Sequence, residues 1–350
     1  MPLLSLPSGF PTEIWTEVKV KKELLPEESW FIVGDSKVRS SWETWAPLPP
    51  LGELWLDVSE QKKSVAEVVR CLEVWSQIQL PKQAVIVCVG GGVLSDLVGL
   101  ATSLYLRGIH WHIWPTTLVA QVDASIGGKT SVNLGDAKNQ IGTFYPPKRV
   151  VVCNEFLKTL TPLDLQNGQW EILKMALLEG DRGWLASLND RLSQPTVISS
   201  LSADVERCIF AKTSIVHKDL RDEGDRRLLN LGHTVAHSIE AASRFQIPHG
   251  QAVGFGLLVA CSMSSLLAIS EFPHSLTEKW IRELRAYSYS WPLWDESAPF
   301  FAWDKKKENT TGGQTFTEPL PRTGERAILV SCGMESFHRA YVEVYSRLQT

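Results

Sequence analysis

Four stretches of the 350-residue chain carry side chains whose types and spacing could do chemistry. His233 and His237 stand four apart, and His249 follows after a short link, with Gly232 and Gly250 beside them. Residues four apart share a helix face. Imidazoles suit zinc, whose catalytic sites use three protein groups and leave one position open. Spacing alone does not say which three groups would bind. Thr234 follows His233, so this is not the H-E-x-x-H signature of zinc proteases. A second stretch is Gly90-Gly91-Gly92, placed between an apolar run and Val93-Leu94-Ser95-Asp96. Glycines admit a phosphate close to the backbone, and a helix N-terminus offers it free N–H groups. Ser95 stands where the G-x-G-x-x-G fingerprint has its last glycine. A third stretch sets Asp123 and Lys129 around Gly127-Gly128, with Lys138 and Asn139 nearby. It lacks the first glycine of a P-loop, which excludes that motif. Its cations suit a phosphorylated, carboxylated or polyhydroxy ligand. In the fourth, Glu171 and Lys174 are three apart and read by themselves as a surface ion pair. Lys212, Asp219, Arg226 and Asn230 then lead into the histidine segment.

These side chains need a frame. Residues 30–34, 84–89, 109–114 and 150–153 are short apolar runs that read as strands buried on both faces. Residues 64–78 have helical apolar spacing, and Ser64 with Glu67 forms a capping-box pattern. Strand, helix, strand is the unit of an α/β domain. After residue 161 the periodicity predicts helices over 163–178, 202–217, 234–244, 251–270 and 276–287. Segment 305–326, rich in Lys, Thr, Gly and Pro, reads as a loop, with one strand at 327–330. The expected organisation is an α/β domain over 1–161 and a mainly helical domain over 162–350, with the active site in a cleft between them.

Composition removes several function classes. The chain has 35 basic and 39 acidic residues, so its formal net charge is 35 − 39 = −4. That balance argues against a nucleic-acid partner. The six cysteines are scattered with no C-x-x-C pair, which argues against a disulfide scaffold and suits a reducing cytoplasm. The first residues carry no basic region and three prolines, unlike a signal peptide. Residues 252–269 lack formal charge but contain two glycines and three serines. They read as a buried helix, with no membrane partner expected. The fourteen tryptophans are dispersed with no fixed period, and most are expected in the core or at an interface.

Taken together, the strings G-G-G-V-L-S-D, P-T-T-L-V-A-Q-V-D-A-S-I-G-G-K-T, K-N-Q-I-G-T-F-Y-P-P and L-N-L-G-H-T-V-A-H-S-I-E resemble the 3-dehydroquinate synthase family, over about residues 59–307. The resemblance implies a Rossmann-like α/β NAD-binding domain followed by a mainly α-helical metal- and substrate-binding domain. It implies Glu171, His233 and His249 as ligands of zinc or cobalt, with His237 turned to substrate. For NAD it implies Asp35, Glu60, Lys63, Gly91, Gly92, Asp96, Thr116, Thr117, Thr159 and Leu160. Asp123, Lys129 and Lys138 fall at both the cofactor and the substrate, and Asn139 at the substrate. Lys129, Lys174, Lys212, Arg226, Asn230 and His237 take the catalytic positions, and Lys305 or Lys306 also meets substrate. Arg107 matches an arginine that reaches the neighbouring subunit's site, which implies a homodimer, and the scattered thiols place it in the cytoplasm.

The activity implied is that of a phosphate-eliminating carbon–oxygen lyase (EC 4.2.3.4) of the shikimate pathway. 3-Deoxy-D-arabino-heptulosonate 7-phosphate would be oxidised by NAD, lose phosphate by β-elimination, be reduced, open, and close by an intramolecular aldol to 3-dehydroquinate. Two alternatives share the ligands: another sugar-phosphate cyclase, and a metal-dependent oxidoreductase of the glycerol dehydrogenase type. Retention of Lys174, Arg226, Asn230 and His237 favours the synthase. A non-catalytic regulator would not need an intact ligand set. The chain departs from the family pattern at Trp170, where a small residue is usual, and at Gln251, where glutamate is common.

Overall fold

Short apolar runs pair into one parallel sheet. The computed structural model describes residues 11–17, 22–27, 29–46, 51–135, 137–192, 194, 196–301, 307–310 and 313–350. Strands β1 (Glu13–Glu17), β2 (Trp30–Asp35), β3 (Glu53–Leu56), β4 (Val85–Gly90) and β5 (Trp111–Pro115) are followed by a separate antiparallel hairpin of β6 (Lys129–Leu134) and β7 (Ala137–Phe144), then by β8 (Arg149–Cys153). The sheet runs β1-β8-β5-β4-β2-β3 with every neighbour parallel. Every residue of β4 is buried, as expected when both faces of a parallel sheet are covered. Between the strands lie α1 (Arg39–Trp45), α2 (Val65–Gln77) and α3 (Gly92–Leu104). Beneath one face Trp30, Trp42, Trp114 and Phe156 share a core cluster. The Trp42 and Trp114 rings meet nearly perpendicular, 5.2 Å between centroids, an edge-to-face contact that suits aromatic quadrupoles. One expected detail fails. Ser64 caps α2 by position, but its side chain makes no capping hydrogen bond, so the capping box does not form.

Helices dominate the rest: α4 (Pro162–Glu179), α5 (Arg182–Leu192), α6 (Ser202–Lys218), α7 (His233–Ala242), α8 (His249–Leu266), α9 (His274–Arg285) and α10 (Trp294–Phe301). Then come β9 (Lys307–Thr310), β10 (Gly313–Arg322), β11 (Glu325–Gly333) and α11 (Met334–Gln349). The segment 305–326, read from its composition as a loop, is instead largely strand in its described part. β10 pairs antiparallel with both β11 and β9. Proline was part of the loop signal, yet Pro319 pairs with Leu329 of β11 and Pro321 falls at a register shift of that ladder. The ladder to β9 uses only Gly313–Phe316, so neither proline interrupts it.

The chain divides into two compact units, one holding residues up to Gly168 with Val197–His217, the other Gln169–Thr196 with Lys218–Thr350. The cut falls seven residues beyond the expected 161/162, and α6 joins the α/β unit. Polar contacts explain why. Lys212 Nζ donates to the Asp123 carbonyl at 2.6 Å and to its Oδ1 at 2.9 Å. Asn154 Nδ2 donates to Ser202 Oγ at 2.6 Å. In the second unit α8 is buried nearly throughout up to Ser264, as expected for that part of 252–269, but the helix ends at Leu266 and residues 265–268 are exposed. No described helix is long and apolar enough to cross a membrane.

Candidate active site

The second unit brings a carboxylate, two imidazoles and an ammonium together. Glu171 and Lys174 lie one turn apart on α4, and their side chains are 0% and 1% exposed. The surface-pair reading of this spacing is therefore wrong. Lys174 Nζ lies 2.7 Å from Glu171 Oε2. The other oxygen, Oε1, faces His249 Nε2 at 3.0 Å and His233 Nε2 at 3.5 Å. Both Nδ1 atoms are engaged elsewhere, that of His233 with the Leu231 carbonyl at 3.1 Å and that of His249 with Glu240 Oε1 at 3.3 Å. An imidazole whose Nδ1 holds a proton on an acceptor presents the Nε2 lone pair. Among the described residues, Glu171, His233 and His249 thus bring one ligand atom each within 4.8 Å of one another. Two imidazole nitrogens and one carboxylate oxygen are a donor set that zinc accepts. His237, left open by spacing, stands outside this group, its ring centroid 5.5 Å from that of His233.

Electrostatics prepares the donors. Burial opposes ionisation of Glu171, yet Lys174 and the imidazoles hold its carboxyl well below the usual range. Burial, helped by the Lys174 charge, keeps His233 below its ordinary value and so neutral. Burial works against charge on His249 too, but Glu240 and Glu171 on either side push it up to about 10. A cation entering here would replace the His249 proton. About a third of the His249 side chain is exposed, against none of Glu171.

Backbone approach sets these distances. Gly232 caps α7 with φ of 75°, a left-handed geometry that favours glycine. Its carbonyl abuts Gly256 of α8, and a Cβ on Gly232 would stand 2.9 Å from the Leu257 nitrogen. The start of α7, with His233, is thereby seated on the helix that begins at His249. Trp170, next to Glu171, is fully buried. A Cβ on Gly254 of α8 would fall 2.7 Å from its Cδ2. The unusual indole therefore packs against α8. Gln251, the other departure, is buried on the same helix.

Other expected site residues of this unit take definite places. Arg226 is 2% exposed; its N–H donates to Asp219 Oδ2 at 3.0 Å and its Nη1 to the Leu220 carbonyl at 2.7 Å. Asn230 is half-buried at the end of a 3₁₀ turn. Lys305 and Lys306 lie outside the described residues.

In the α/β unit the expected cofactor residues gather at the carboxyl edge of the sheet, where open α/β folds bind ligands. Asp35 ends β2, Gly91 and Gly92 follow β4, and Thr116 and Thr117 follow β5. Thr159 and Leu160 come one 3₁₀ segment after β8. A Cβ on Gly91 would sit 3.0 Å from Thr117 Cγ2, and one on Gly92 2.9 Å from Ala124 Cβ, so side chains there would crowd the turn. The N-terminus of α3 has no side-chain cap, leaving N–H groups for an anion. Beside it Lys63, 4% exposed, reaches Asp96 Oδ2 at 2.5 Å and Asn139 Oδ1 at 2.6 Å. Burial raises the Asp96 carboxyl, and Lys63 pulls it back. Asn133 Nδ2 donates to Glu60 Oε1 at 2.9 Å, and Lys138 Nζ lies 3.7 Å from the same oxygen. Hence Asn139, assigned to substrate, and Lys138, assigned to both substrate and cofactor, share one polar network with Glu60, Lys63 and Asp96. Asp123 is paired with Lys212, while Lys129 is exposed at the start of β6. Arg107 sits elsewhere in the unit, exposed on a turn with φ of 46° at Leu106, 62° at Arg107 and 101° at Gly108. Lys82 Nζ holds that turn through the Leu106 carbonyl at 2.8 Å.

The motifs did not single out Glu240, Ser131 or Asn133. Glu240 had a legible signal, since it lies seven residues after His233 on the same helix face. Ser131 Oγ donates to Asn139 Oδ1 at 2.9 Å across a hairpin that no periodicity announced.

Comparison with known proteins places this geometry. Family models described as 3-dehydroquinate synthase N-terminal and C-terminal match residues 53–167 and 168–307. The 3-dehydroquinate synthase of Pyrococcus furiosus is 38% identical over 59% of this chain and 61% of its own length. That of Thermococcus kodakarensis is 39% identical over 64% of this chain and 63% of its own length. The chain thus spans less than two thirds of these relatives. That of Chlamydia muridarum is 33% identical over 75% of this chain and 76% of its own. The fold resembles that of 2-epi-5-epi-valiolone synthase from Streptomyces hygroscopicus subsp. jinggangensis, solved with NAD+ and Zn2+ (TM-score 0.80, 24% identity, 98% and 99% of the two chains). It also resembles 2-deoxy-scyllo-inosose synthase complexed with carbaglucose-6-phosphate, NAD+ and Co2+ (TM-score 0.79, 21% identity, 95% and 96%). With both halves of one family model matched in order across residues 53–307, the chain belongs to the 3-dehydroquinate synthase family.

Proposed function

We propose that this chain converts 3-deoxy-D-arabino-heptulosonate 7-phosphate to 3-dehydroquinate and phosphate, using NAD+ and a divalent metal ion, zinc or cobalt. One observation carries the reading: in a member of this family, Glu171 Oε1 and the Nε2 atoms of His233 and His249 converge while the buried Lys174 ammonium nitrogen lies 2.7 Å from the other oxygen of Glu171. When bound, the metal supplies Lewis-acid polarisation of a substrate oxygen, and NAD+ accepts one hydride and returns it. Glu171, His233 and His249 hold the metal. Gly91, Gly92, Thr116, Thr117 and the α3 N-terminus take the cofactor's phosphates, with Asp35 and Thr159 at the ends of the same edge. Lys174, Arg226, Asn230 and His237 bind and orient the substrate's oxygens. Lys212 and Asp123 form a second polar pair for it, and Lys129 and Lys138 add cations suited to its phosphate and carboxylate. Fixed charges around one bound molecule let several steps proceed by positioning rather than by separate active sites. The reading includes a reducing, cytoplasmic setting, supported by six buried cysteines, none in a disulfide. It also includes a homodimer, for which exposed Arg107 would serve the partner's site.

The test is purified protein with zinc, NAD+ and the heptulosonate phosphate. Stoichiometric release of inorganic phosphate without accumulation of NADH is expected. NADH accumulating with a polyol and no phosphate release would instead establish the dehydrogenase reading. Phosphate release only from a different sugar phosphate would establish another cyclase.

A further inference from the structure

We infer that Glu240 is a positioning residue for the metal centre, its carboxylate holding the His249 ring by Nδ1 so that Nε2 meets Glu171 and the ion. The inference rests on the proposed metal site and concerns a residue outside the ligand group. Glu240 is 3% exposed. A carboxylate is costly to bury unless its hydrogen bonds are made. Its Oε1 lies 3.3 Å from His249 Nδ1, while Nε2 of the same ring lies 3.0 Å from Glu171 Oε1. The ring is thus clamped at both nitrogens by two acids from different helices. Glu240 is also on the face of α7 that carries His233, two turns earlier, and His237, one turn earlier. One helix therefore supplies a ligand and the acceptor that orients another ligand. His233 is oriented differently, by the Leu231 carbonyl at 3.1 Å, a neutral acceptor fixed by the backbone. His249 lacks such an acceptor among its described contacts and relies on a side chain that can be exchanged. A carboxylate in that role also raises ligand basicity and adds negative charge near a dication, which a carbonyl does less.

The experiment measures metal affinity alone. Metal-free protein, its Glu240→Ala and Glu240→Gln variants, and Glu171→Ala are titrated with Co2+ and followed by the visible d–d absorption of the bound ion. Glu171→Ala is expected to lose binding. Glu240→Ala should weaken it about 100-fold and Glu240→Gln, which keeps an oxygen acceptor but not the charge, about tenfold. The d–d bands of both should shift as the His249 ligand relaxes, while NAD+ affinity stays unchanged. If Glu240→Ala does not fold, Glu240→Gln decides. A Glu240→Gln dissociation constant within about twofold of the wild type, with an unshifted spectrum, overturns the inference and leaves the metal site standing. A wild-type chain that binds no Co2+ overturns the site and the inference together.

Discussion

Asp219 accepts backbone hydrogen bonds from Glu223 at 3.0 Å, Gly224 at 2.8 Å and Arg226 at 3.0 Å. Burial would raise its carboxyl, but these donors hold it below the ordinary value. A depressed carboxyl stabilises the fold above the unfolded-state pKa, about 3.9, and that contribution is lost as pH falls through the lower folded value. The acid sensitivity of the 219–226 loop should therefore come largely from this residue. Unfolding midpoints of the wild type are expected to fall more between pH 5 and pH 3 than those of Asp219→Asn. Parallel slopes would show that the backbone donors add nothing. At neutral pH the same variant should bind a substrate analogue more weakly, because Arg226 hangs from that carboxylate, and should keep its metal. Legibility at this scale is uneven. The histidines were visible by type and spacing, because few other reasons put three imidazoles and two glycines so close together. Glu171 and Lys174 were not, because i, i+3 spacing says which residues are neighbours and nothing about which face of the helix is buried. Only the resemblance raised them to site residues.

At the scale of elements, the metal centre depends on how closely α4 and α7 approach α8. Gly254→Ala puts a methyl group 2.7 Å from the Trp170 ring, and the indole is too enclosed to swing aside. Such overpacking costs about 1–3 kcal/mol. The urea midpoint should fall accordingly, and metal affinity with it, because Glu171 is the next residue on α4. Adding Trp170→Leu should recover part of both losses. A double variant no better than the sum of the singles would mean that the two positions act independently. The buried strands β2, β4, β5 and β8 were legible from their apolar runs, and so were α4, α6, α7, α8 and α9, whereas α5, α10 and α11 were not anticipated. The rest failed for identifiable reasons. β3 is a four-residue edge strand, too short for a pattern. The β6–β7 hairpin is rich in polar residues because its side chains build a network instead of a core. In β10, proline and glycine masked a strand whose pairing partner lies beyond the turn.

Across the whole molecule, a net charge of −4 conceals where the charges are. Lys63, Lys174, Lys212 and Arg226 are all buried, each beside an acid or a carbonyl that fixes it. The cysteines behave oppositely: all six are buried, and none is in a disulfide. Burial pushes the Cys71 thiol up to about 12 and Cys332 up to about 11. Thiolates react and thiols do not, so an aromatic disulfide reagent at pH 8 should label none of the six until denaturant is added. Rapid labelling of the native protein would contradict this burial. A change of periodicity after residue 161 was legible in the sequence. That α6 joins the first unit was not, because a helix pattern shows that a face is apolar and not what covers it. One consequence follows from the position of His249 at the first residue of α8, with Gly232 seated on Gly256 of the same helix. The ligand atoms can meet only after that helix is packed, so a bound ion acts on the folding equilibrium of the entire second unit. By linkage, free zinc at about 100 times its dissociation constant would add about 2.7 kcal/mol to that unit's stability. A chelator should then lower its thermal midpoint in proportion to the logarithm of zinc activity. An unfolding transition indifferent to zinc would mean that the three ligands come together before their helices do.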